Sequence, residues 1–324
     1  MRQYAGVDIG ATKIKAMIGT EDGAILGSDR RPTPQGPRGI DVTEAVLRAI
    51  RTACGEAAVS PSDIRAAGIG SFGPFDLAEG MVVNPANLPQ SVNRIPLVGP
   101  VSKLIDSDRV YLHNDTTAAV VGERFHADRN PADMVYLTFS TGIGAGIAVD
   151  GQVLNGWDGN AGEVGHFLID PDERLPCGCG QAGHWEAYAS GSGIPKFSKY
   201  LAEHESIETD LPLDADDFSA ATIFEYADED PLATTVIERV GRLNAIGVAN
   251  VVHAYAPLII SFGGAVALHN QEAILTPIRD TLDDLVMSNV PELQVTSLGD
   301  DVVVRGALAS AMTRGTGDRS RLLG

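Results

Sequence analysis

Two thiols and two imidazoles crowd into one short stretch, Glu163-Val-Gly-His166 through Cys177-Gly-Cys179-Gly-Gln-Ala-Gly-His184-Trp-Glu186. Two thiolates with two neutral imidazoles suit tetrahedral Zn²⁺. The loop is glycine-rich and carries few apolar side chains, so a structural metal would supply order that burial cannot. Cys-x-Cys is tighter than finger spacing, which excludes a zinc finger. A redox pair or an incidental cluster is the competing reading. Glu163 and Glu186 flank the four donors and are carboxylate acceptors of the kind that bind sugar hydroxyls.

A second chemistry is suggested by Asp8-Ile9-Gly10-Ala11-Thr12. A glycine turn lets backbone amides approach a polyphosphate, a nearby carboxylate can hold Mg²⁺ through water, and a threonine hydroxyl can donate to phosphate. Asp-x-Gly is also a common β-turn. Ser140-Thr141-Gly142-Ile143-Gly144-Ala145-Gly146 repeats the theme, so two glycine hairpins are available to clamp a triphosphate. Neither is a Walker A loop, and neither opens a helix as a Rossmann fingerprint does. Asn114-Asp115 stands between an apolar strand and a helix. Asp115 there is a standard N-cap, and equally a general base for a hydroxyl attacking phosphorus. Asn84-Pro85-Ala86-Asn87-Leu88-Pro89 offers amides to a polyol, or is plain turn chemistry. Gly263-Gly264 ends a buried strand where a ligand needs small residues, or where the chain simply turns tightly.

The elements that must position these groups are legible in the apolar pattern. Tyr4–Ile9, Lys13–Gly19 and Ala24–Arg31 read as a β-meander, followed by a helix over Gly39–Ala58 and a buried strand over Ala66–Gly70. Arg109–His113 reads as a strand feeding a helix from Asp115 to about Phe125. From Met134 the strand, glycine turn, strand, Asp-Gly turn, strand pattern recurs, roughly 130 residues after the first copy, which predicts a duplicated domain with a ligand cleft between the halves. Helices are expected near Gly183–Glu203, Ser219–Tyr226, Pro231–Tyr255, Gln271–Val286 and Val302–Thr313, with a buried strand at Leu258–Phe262. The stretch from Leu243 to Gln271 lacks charge, but Asn244, Asn250, His253, Pro257 and Gly263-Gly264 interrupt it, so a helix end and a strand account for it better than a membrane span.

The chain has 324 residues, 44% of them hydrophobic and 21% charged, which excludes a wholly disordered chain and allows two domains. Lys+Arg total 24 against 43 Asp+Glu, a net charge of −19 that argues against nucleic-acid binding. The lysines are Lys13, Lys15, Lys103, Lys196 and Lys199 alone. An acid-rich, lysine-poor surface fits a salt-rich cytosol of the halophilic kind, with an acidic mesophilic enzyme as the alternative. The N-terminus shows no signal-peptide pattern, so a cytoplasmic protein with reduced or metal-bound cysteines is expected.

In ordered combination these motifs resemble the ROK family of bacterial and archaeal sugar kinases, glucokinase-like, across nearly the whole chain. The matching features are Asp8-x-Gly10-x-Thr12, Asn84-Pro-x-Asn87-x-Pro89, Asn114-Asp115, Thr141-Gly-x-Gly-x-Gly146 and Glu163-x-Gly-His166 with its following loop. The resemblance implies an α/β, two-domain, actin-like (hexokinase-type, ribonuclease H-like) ATPase fold with duplicated β-meander cores. Residues 1–114 would form a small domain, completed by the C-terminal helix of about 302–324, and residues 115–301 a large domain carrying the zinc loop. By the same resemblance Asp115 is the catalytic base, and Gly70, Asn87, Asn114, Glu163, His166 and Glu186 face the sugar. Asp8, Gly10, Thr12, Lys13, Thr141, Gly142 and Gly144 to Gly146 match the phosphate loops, and Gly263 and Gly264 the adenosine side. His166, Cys177, Cys179 and His184 would hold structural Zn²⁺, His166 turning its other nitrogen to the sugar. His184 stands where the family usually has cysteine. Gly70-Ser-Phe-Gly73-Pro74 resembles some fructokinases, whereas the metal loop resembles glucokinases.

The implied activity is ATP- and Mg²⁺-dependent phosphorylation of the glucose 6-hydroxyl. Fructose, mannose and N-acetylated hexosamines are the alternatives, as are ADP or polyphosphate as donor. A homodimer or homotetramer is implied, with sugar and ATP as partners and neither nucleic acid nor membrane. Transcription repressors of the family carry a DNA-binding region before the kinase-like part, which the position of Asp8 leaves no room for; a silent sugar sensor is disfavoured by Asp115. If the acidity is a salt adaptation, the thermal midpoint rises between low and multimolar KCl, and a midpoint equal at both would exclude that reading.

Overall fold

The computed structural model describes residues 2–322. Near-continuous apolar residues make β1 (Gln3–Ile9) a strand buried on both faces. It turns at Gly10 into β2 (Lys13–Thr20), which turns at Gly23 into β3 (Ile25–Pro32). Gly23 takes φ +85°, a left-handed conformation that glycine adopts without steric cost. α1 (Gly39–Glu56) buries Val42, Val46, Ala49, Ile50, Ala53 and Cys54 in the core that also contains Val7, Ile14 and Ile18; Ile40, expected on the same face from its spacing with Val46, Leu47, Ile50 and Ala53-Cys54, is exposed. β4 (Ile64–Ser71) then pairs parallel to β1. Three short strands, β5 (Phe75–Asp76), β6 (Met81–Val83) and β7 (Arg94–Pro96), form a separate antiparallel sheet. α2 (Val98–Ile105) leads into β8 (Val110–Asn114), parallel to β4, and α3 (Asp115–His126) follows directly. The first sheet has the order β3-β2-β1-β4-β8.

The pattern is then repeated. β9 (Met134–Phe139), β10 (Ile143–Val149) and β11 (Gln152–Val153) are the second meander. After them come α4 (Trp185–Ala189), α5 (Ile194–His204), α6 (Ala220–Glu225), α7 (Pro231–Tyr255), β12 (Ile259–Gly263), α8 (Ala265–His269), α9 (Gln271–Leu285), β13 (Glu292–Val295) and α10 (Val302–Thr313). This sheet has the order β11-β10-β9-β12-β13. In both sheets the chain runs third, second, first, fourth, fifth, so the duplicated meander expected from the two glycine hairpins is present as a duplicated five-stranded core. The charge-poor stretch divides into the end of α7, β12 and α8; among the described residues no helix is long and apolar enough to cross a membrane.

Contacts group the chain into two units. Unit 1 holds the chain up to Val135, Gly146–Gly162 and the segment from Asp300 onward; unit 2 holds Tyr136–Ala145 and Glu163–Gly299. The chain passes from one to the other inside β9 and inside β10. Residues 115–135, read from the sequence as the start of the large domain, lie in unit 1 because α3 packs on α10, and α10 packs on β1 and β4. The single helix expected over Gly183–Glu203 is two, α4 and α5, separated at Ser190–Gly193. The Ser190 hydroxyl accepts from the Gly193 amide, a local turn that competes with the helix. β5–β7, β13, α2 and α8 were not expected from the sequence.

Glycine decides how closely α10 can lie. A Cβ on Gly306 would stand 1.8 Å from the Ala118 carbonyl oxygen of α3, and one on Gly68 of β4 1.9 Å from the Ala307 carbonyl oxygen. Both contacts involve backbone, so nothing flexible can yield. Gly306→Ala is therefore expected to destabilise unit 1 by about 3 kcal/mol or more, read as a lower urea midpoint. Gly55→Ala, where nothing lies within 4 Å of the added methyl, is the control, expected to gain about 0.5 kcal/mol. A Gly306→Ala midpoint matching the wild type would refute the close-packing argument.

Candidate active site

In unit 1 the register of three parallel strands sets the site. Asp8 pairs with Gly70 and Gly70 with His113; one step on, Ile9 pairs with Ser71 and Ser71 with Asn114. The carboxyl ends of β1, β4 and β8 therefore finish side by side, the usual ligand edge of a parallel sheet. The chain leaves β8 straight into α3. Asn114 caps that helix, its Oδ1 accepting from the Thr116 amide at 3.0 Å and the Thr116 hydroxyl at 2.8 Å. Asp115 Oδ1 accepts from the same amide at 2.7 Å. The side-chain cap thus comes from Asn114, and Asp115 is the first residue of the twelve-residue helix. His113 beneath them is buried, bonds Ser310 Oγ through Nε2 at 2.8 Å, and is pushed down to about 4 by burial, so it is neutral.

Asp8 lies half-buried at the end of β1. Loss of solvation, then the nearby Asp115 charge, push its carboxyl up to about 7, against the lowering influence of Lys13 and Lys15. Lys15, directly across the strand pair from Asp8, is joined to Asp301 at 2.5 Å. The carbonyls of the Gly10–Thr12 turn are held from outside: Thr33 Oγ1 donates to Gly10 O at 2.7 Å, the Thr33 amide to Thr12 O at 3.0 Å, and Gln35 Nε2 to Ala11 O at 2.7 Å. Gly70 is buried within β4, where an added Cβ would meet Val303 at 2.6 Å and Ala118 at 2.9 Å, so packing accounts for this glycine. Asn87 is exposed in the loop between β6 and β7.

Unit 2 holds the second glycine turn. Its carbonyls are also taken from outside, by the Gly191 amide to Ser140 O at 2.7 Å and the Ser192 hydroxyl to Thr141 O at 2.8 Å. The break between α4 and α5 thus supplies donors to the turn, which explains why one long helix does not form. Glu186 Oε2 accepts from the Ile143 amide at 2.9 Å. Gly263 ends β12 and Gly264 follows it, and a Cβ on them would stand 2.2 Å from Tyr136 Oη and 2.3 Å from the Phe139 carbonyl oxygen, respectively. Beyond them a cavity of about 350 Å³ is lined by Ala220, Ala221, Phe224 and Glu225 of α6 and by Ala265, Val266 and His269 of α8, with Asn270. Its walls come from two short helices far apart in sequence, so no local pattern marks it.

The four metal candidates do converge: one donor atom from each of His166, Cys177, Cys179 and His184 lies within 4.8 Å of the others. Cys179 Sγ is 3.3 Å from His184 Nδ1, and Cys177 Sγ is 3.7 Å from His166 Nδ1. Tetrahedral zinc with bonds of about 2.0–2.3 Å sets donor–donor edges of roughly 3.3–3.8 Å, so the donor set fits that ion. Burial pushes the Cys177 thiol up. The loop is shaped by backbone bonds, Cys177 N–H to Gln181 O at 2.7 Å and Gly183 N–H to Leu175 O at 3.0 Å. It is footed on Asp170, which is buried. Burial alone would raise this carboxyl, but bonds from Arg174 and Tyr188 hold it at about 2. The other nitrogen of His166 lies 3.8 Å from Glu163 Oε2.

The family described as ROK is matched over residues 4–314. A glucokinase of Pyrobaculum calidifontis is 35% identical over 315 residues, 96% of this chain and 95% of that protein. The crystal structure of a ROK hexokinase from Thermus thermophilus is 30% identical, with a TM-score of 0.80 over 95% of this chain and 97% of that one. A ROK family glucokinase from Streptomyces griseus, solved with glucose and AMPPNP, is 29% identical, with a TM-score of 0.72 over 95% and 99%.

The electrostatics of Asp8 carry a pH signature. Its folded pKa of about 7 lies above the ordinary 3.8, so folding penalises the anion; the penalty is complete above pH 7 and fades as pH falls toward 4. In magnesium-free protein Asp8→Asn is therefore expected to raise the melting temperature at pH 8 and to leave it nearly unchanged at pH 4. An equal gain at both pH values would mean that Asp8 is not the penalised anion.

Proposed function

The chain belongs to the ROK family, and on that premise we propose that it is an ATP-dependent glucokinase, passing the γ-phosphoryl group to the glucose 6-hydroxyl. The observation that carries the mechanism is Asp115, a carboxylate at the N-terminus of α3 where three parallel strands end. It accepts the hydroxyl proton as the sugar oxygen forms its bond to phosphorus and the bond to the ADP oxygen breaks. Asn114 fixes the helix start and with it the carboxylate. Asp8, with Gly10, Thr12 and Lys13, is the unit 1 group suited to the metal-bound phosphates; Mg²⁺ would neutralise the charge that builds up on them. Thr141, Gly142 and Gly144 are the unit 2 counterpart, and the cavity beside Gly264 has the size and apolar walls for the nucleotide base.

Asn87, Asn114, Glu163, His166 and Glu186 supply amide, carboxylate and imidazole partners for sugar hydroxyls. Zn²⁺ would be held by His166, Cys177, Cys179 and His184 as a structural ion, and holding His166 through Nδ1 leaves Nε2 to donate. The likeness to relatives named glucokinase over nearly the full chain supports glucose over other hexoses.

Asp115→Asn preserves the cap and the volume but removes the base. With ATP in a coupled assay, its turnover is expected to fall about 10³-fold, while glucose binding and melting temperature stay near the wild type. The wild type, carrying about one zinc, is expected to prefer glucose over fructose, mannose and N-acetylglucosamine. Near-normal turnover of Asp115→Asn overturns the base assignment, and preference for another sugar overturns the specificity.

A further inference from the structure

Glu186 touches two functional pieces of unit 2 at once. Its Oε2 accepts from the Ile143 amide at 2.9 Å, across 43 residues of sequence. A Cβ on Gly142 would lie 2.4 Å from that same oxygen, so the carboxylate rests directly against the turn, and glycine at 142 is what admits it. Its Oε1 lies 3.9 Å from Cys177 Sγ. Two residues before it stands His184. Immediately before it is Trp185, fully buried and bonded through Nε1 to Asn244 of α7 at 2.9 Å. The root of the side chain is thus anchored two residues from the donor His184, while its tip rests on the turn; the Cys177 contact is one that the thiol donates, so in the metal-bound thiolate form the link runs through the chain from His184.

We propose that Glu186 is a positioning residue, a strut that ties the His166–Cys177–Cys179–His184 cluster to the Thr141–Gly146 turn, so that metal occupancy sets the shape of that turn. The physical cause is local. Without a shared ion the four donors lose their common centre, and the exposed segment through Gly178 and Gly180 keeps only its short backbone bonds. The Ile143 amide then loses a charge-assisted acceptor, the strongest class of hydrogen bond that fixes the start of β10. This coupling is distinct from any contact between Glu186 and sugar, because it acts on the turn when no sugar is bound. The nucleotide part of the argument rests on the kinase reading; the strut itself does not.

Two measurements on the full chain test it. Hydrogen exchange of the Ile143 amide reads the strut directly: in zinc-loaded Glu186→Ala the amide is expected to exchange about tenfold faster than in the wild type, and Glu186→Gln, which retains a carbonyl acceptor, to restore most of the protection. AMPPNP–Mg affinity, measured by calorimetry without sugar, reads the coupling. Zinc removal is expected to weaken the wild type about tenfold, and to change Glu186→Ala, already about tenfold weaker, by less than twofold. Unchanged Ile143 exchange in Glu186→Ala overturns the proposal, even if zinc removal unfolds the chain. So does a zinc effect on AMPPNP equally large with and without Glu186. A wild type that binds no AMPPNP overturns the kinase reading instead, and the exchange measurement still decides the strut.

Discussion

The close approach of α10 to the sheet and to α3 is the constraint on which unit 1 depends. Gly6 and Gly68 remove side chains from the strand faces beneath α10, and Gly122 and Gly306 remove them where α10 crosses α3. With no Cβ at these points the backbones meet almost directly, and dispersion contacts accumulate at the density of a protein interior. α3 is held by this packing, and Asp115 is its first residue. The C-terminal segment closes the arrangement: Arg124, buried on α3, donates to the carbonyls of Pro131, Gly151 and Thr316, so a charge deep in the unit has fixed partners. The catalytic candidate owes its position to glycines that pack backbone against backbone.

A second theme is the accounting of turn carbonyls. Both glycine turns give their carbonyl oxygens to donors outside the turn, Thr33 and Gln35 in one, Gly191 and Ser192 in the other. A buried or half-buried carbonyl left without a donor is costly, and satisfying it from one side fixes the plane of each peptide. The peptide planes of both turns are thereby fixed by the fold itself, and in the second turn the Ile143 amide is also taken, by Glu186. In the second turn the same end is served by the interruption between α4 and α5.

The site also stores unfavourable charge. Asp8 and Asp115 lie close enough that one raises the other, in a chain whose net charge is −19. Lys13 and Lys15 offset only part of this, and Lys15 is engaged by Asp301. Burial of Asp8 beside Asp115 costs folding stability wherever both are ionised.

The candidate motifs stand out in the sequence because each is local, and the roles proposed for them come from the family resemblance. Asp8-x-Gly10, Asn114-Asp115 and the Cys177-x-Cys179 loop place their donors within a few bonds of one another, and the apolar period marked the strands and long helices around them. The duplicated meander was legible for the same reason, as two hairpins of like pattern. What the tertiary structure alone decided are the relations between distant segments. These are the register that aligns Asp8 with Gly70 and His113, the cavity walled by α6 and α8, the packing role of Gly70, the seat of α3 against α10, and the reach of Glu186 to Ile143. None of these leaves a trace in spacing, since each depends on which backbones approach closely enough to exclude a Cβ, and that is set by packing across the fold rather than by any neighbour along the chain.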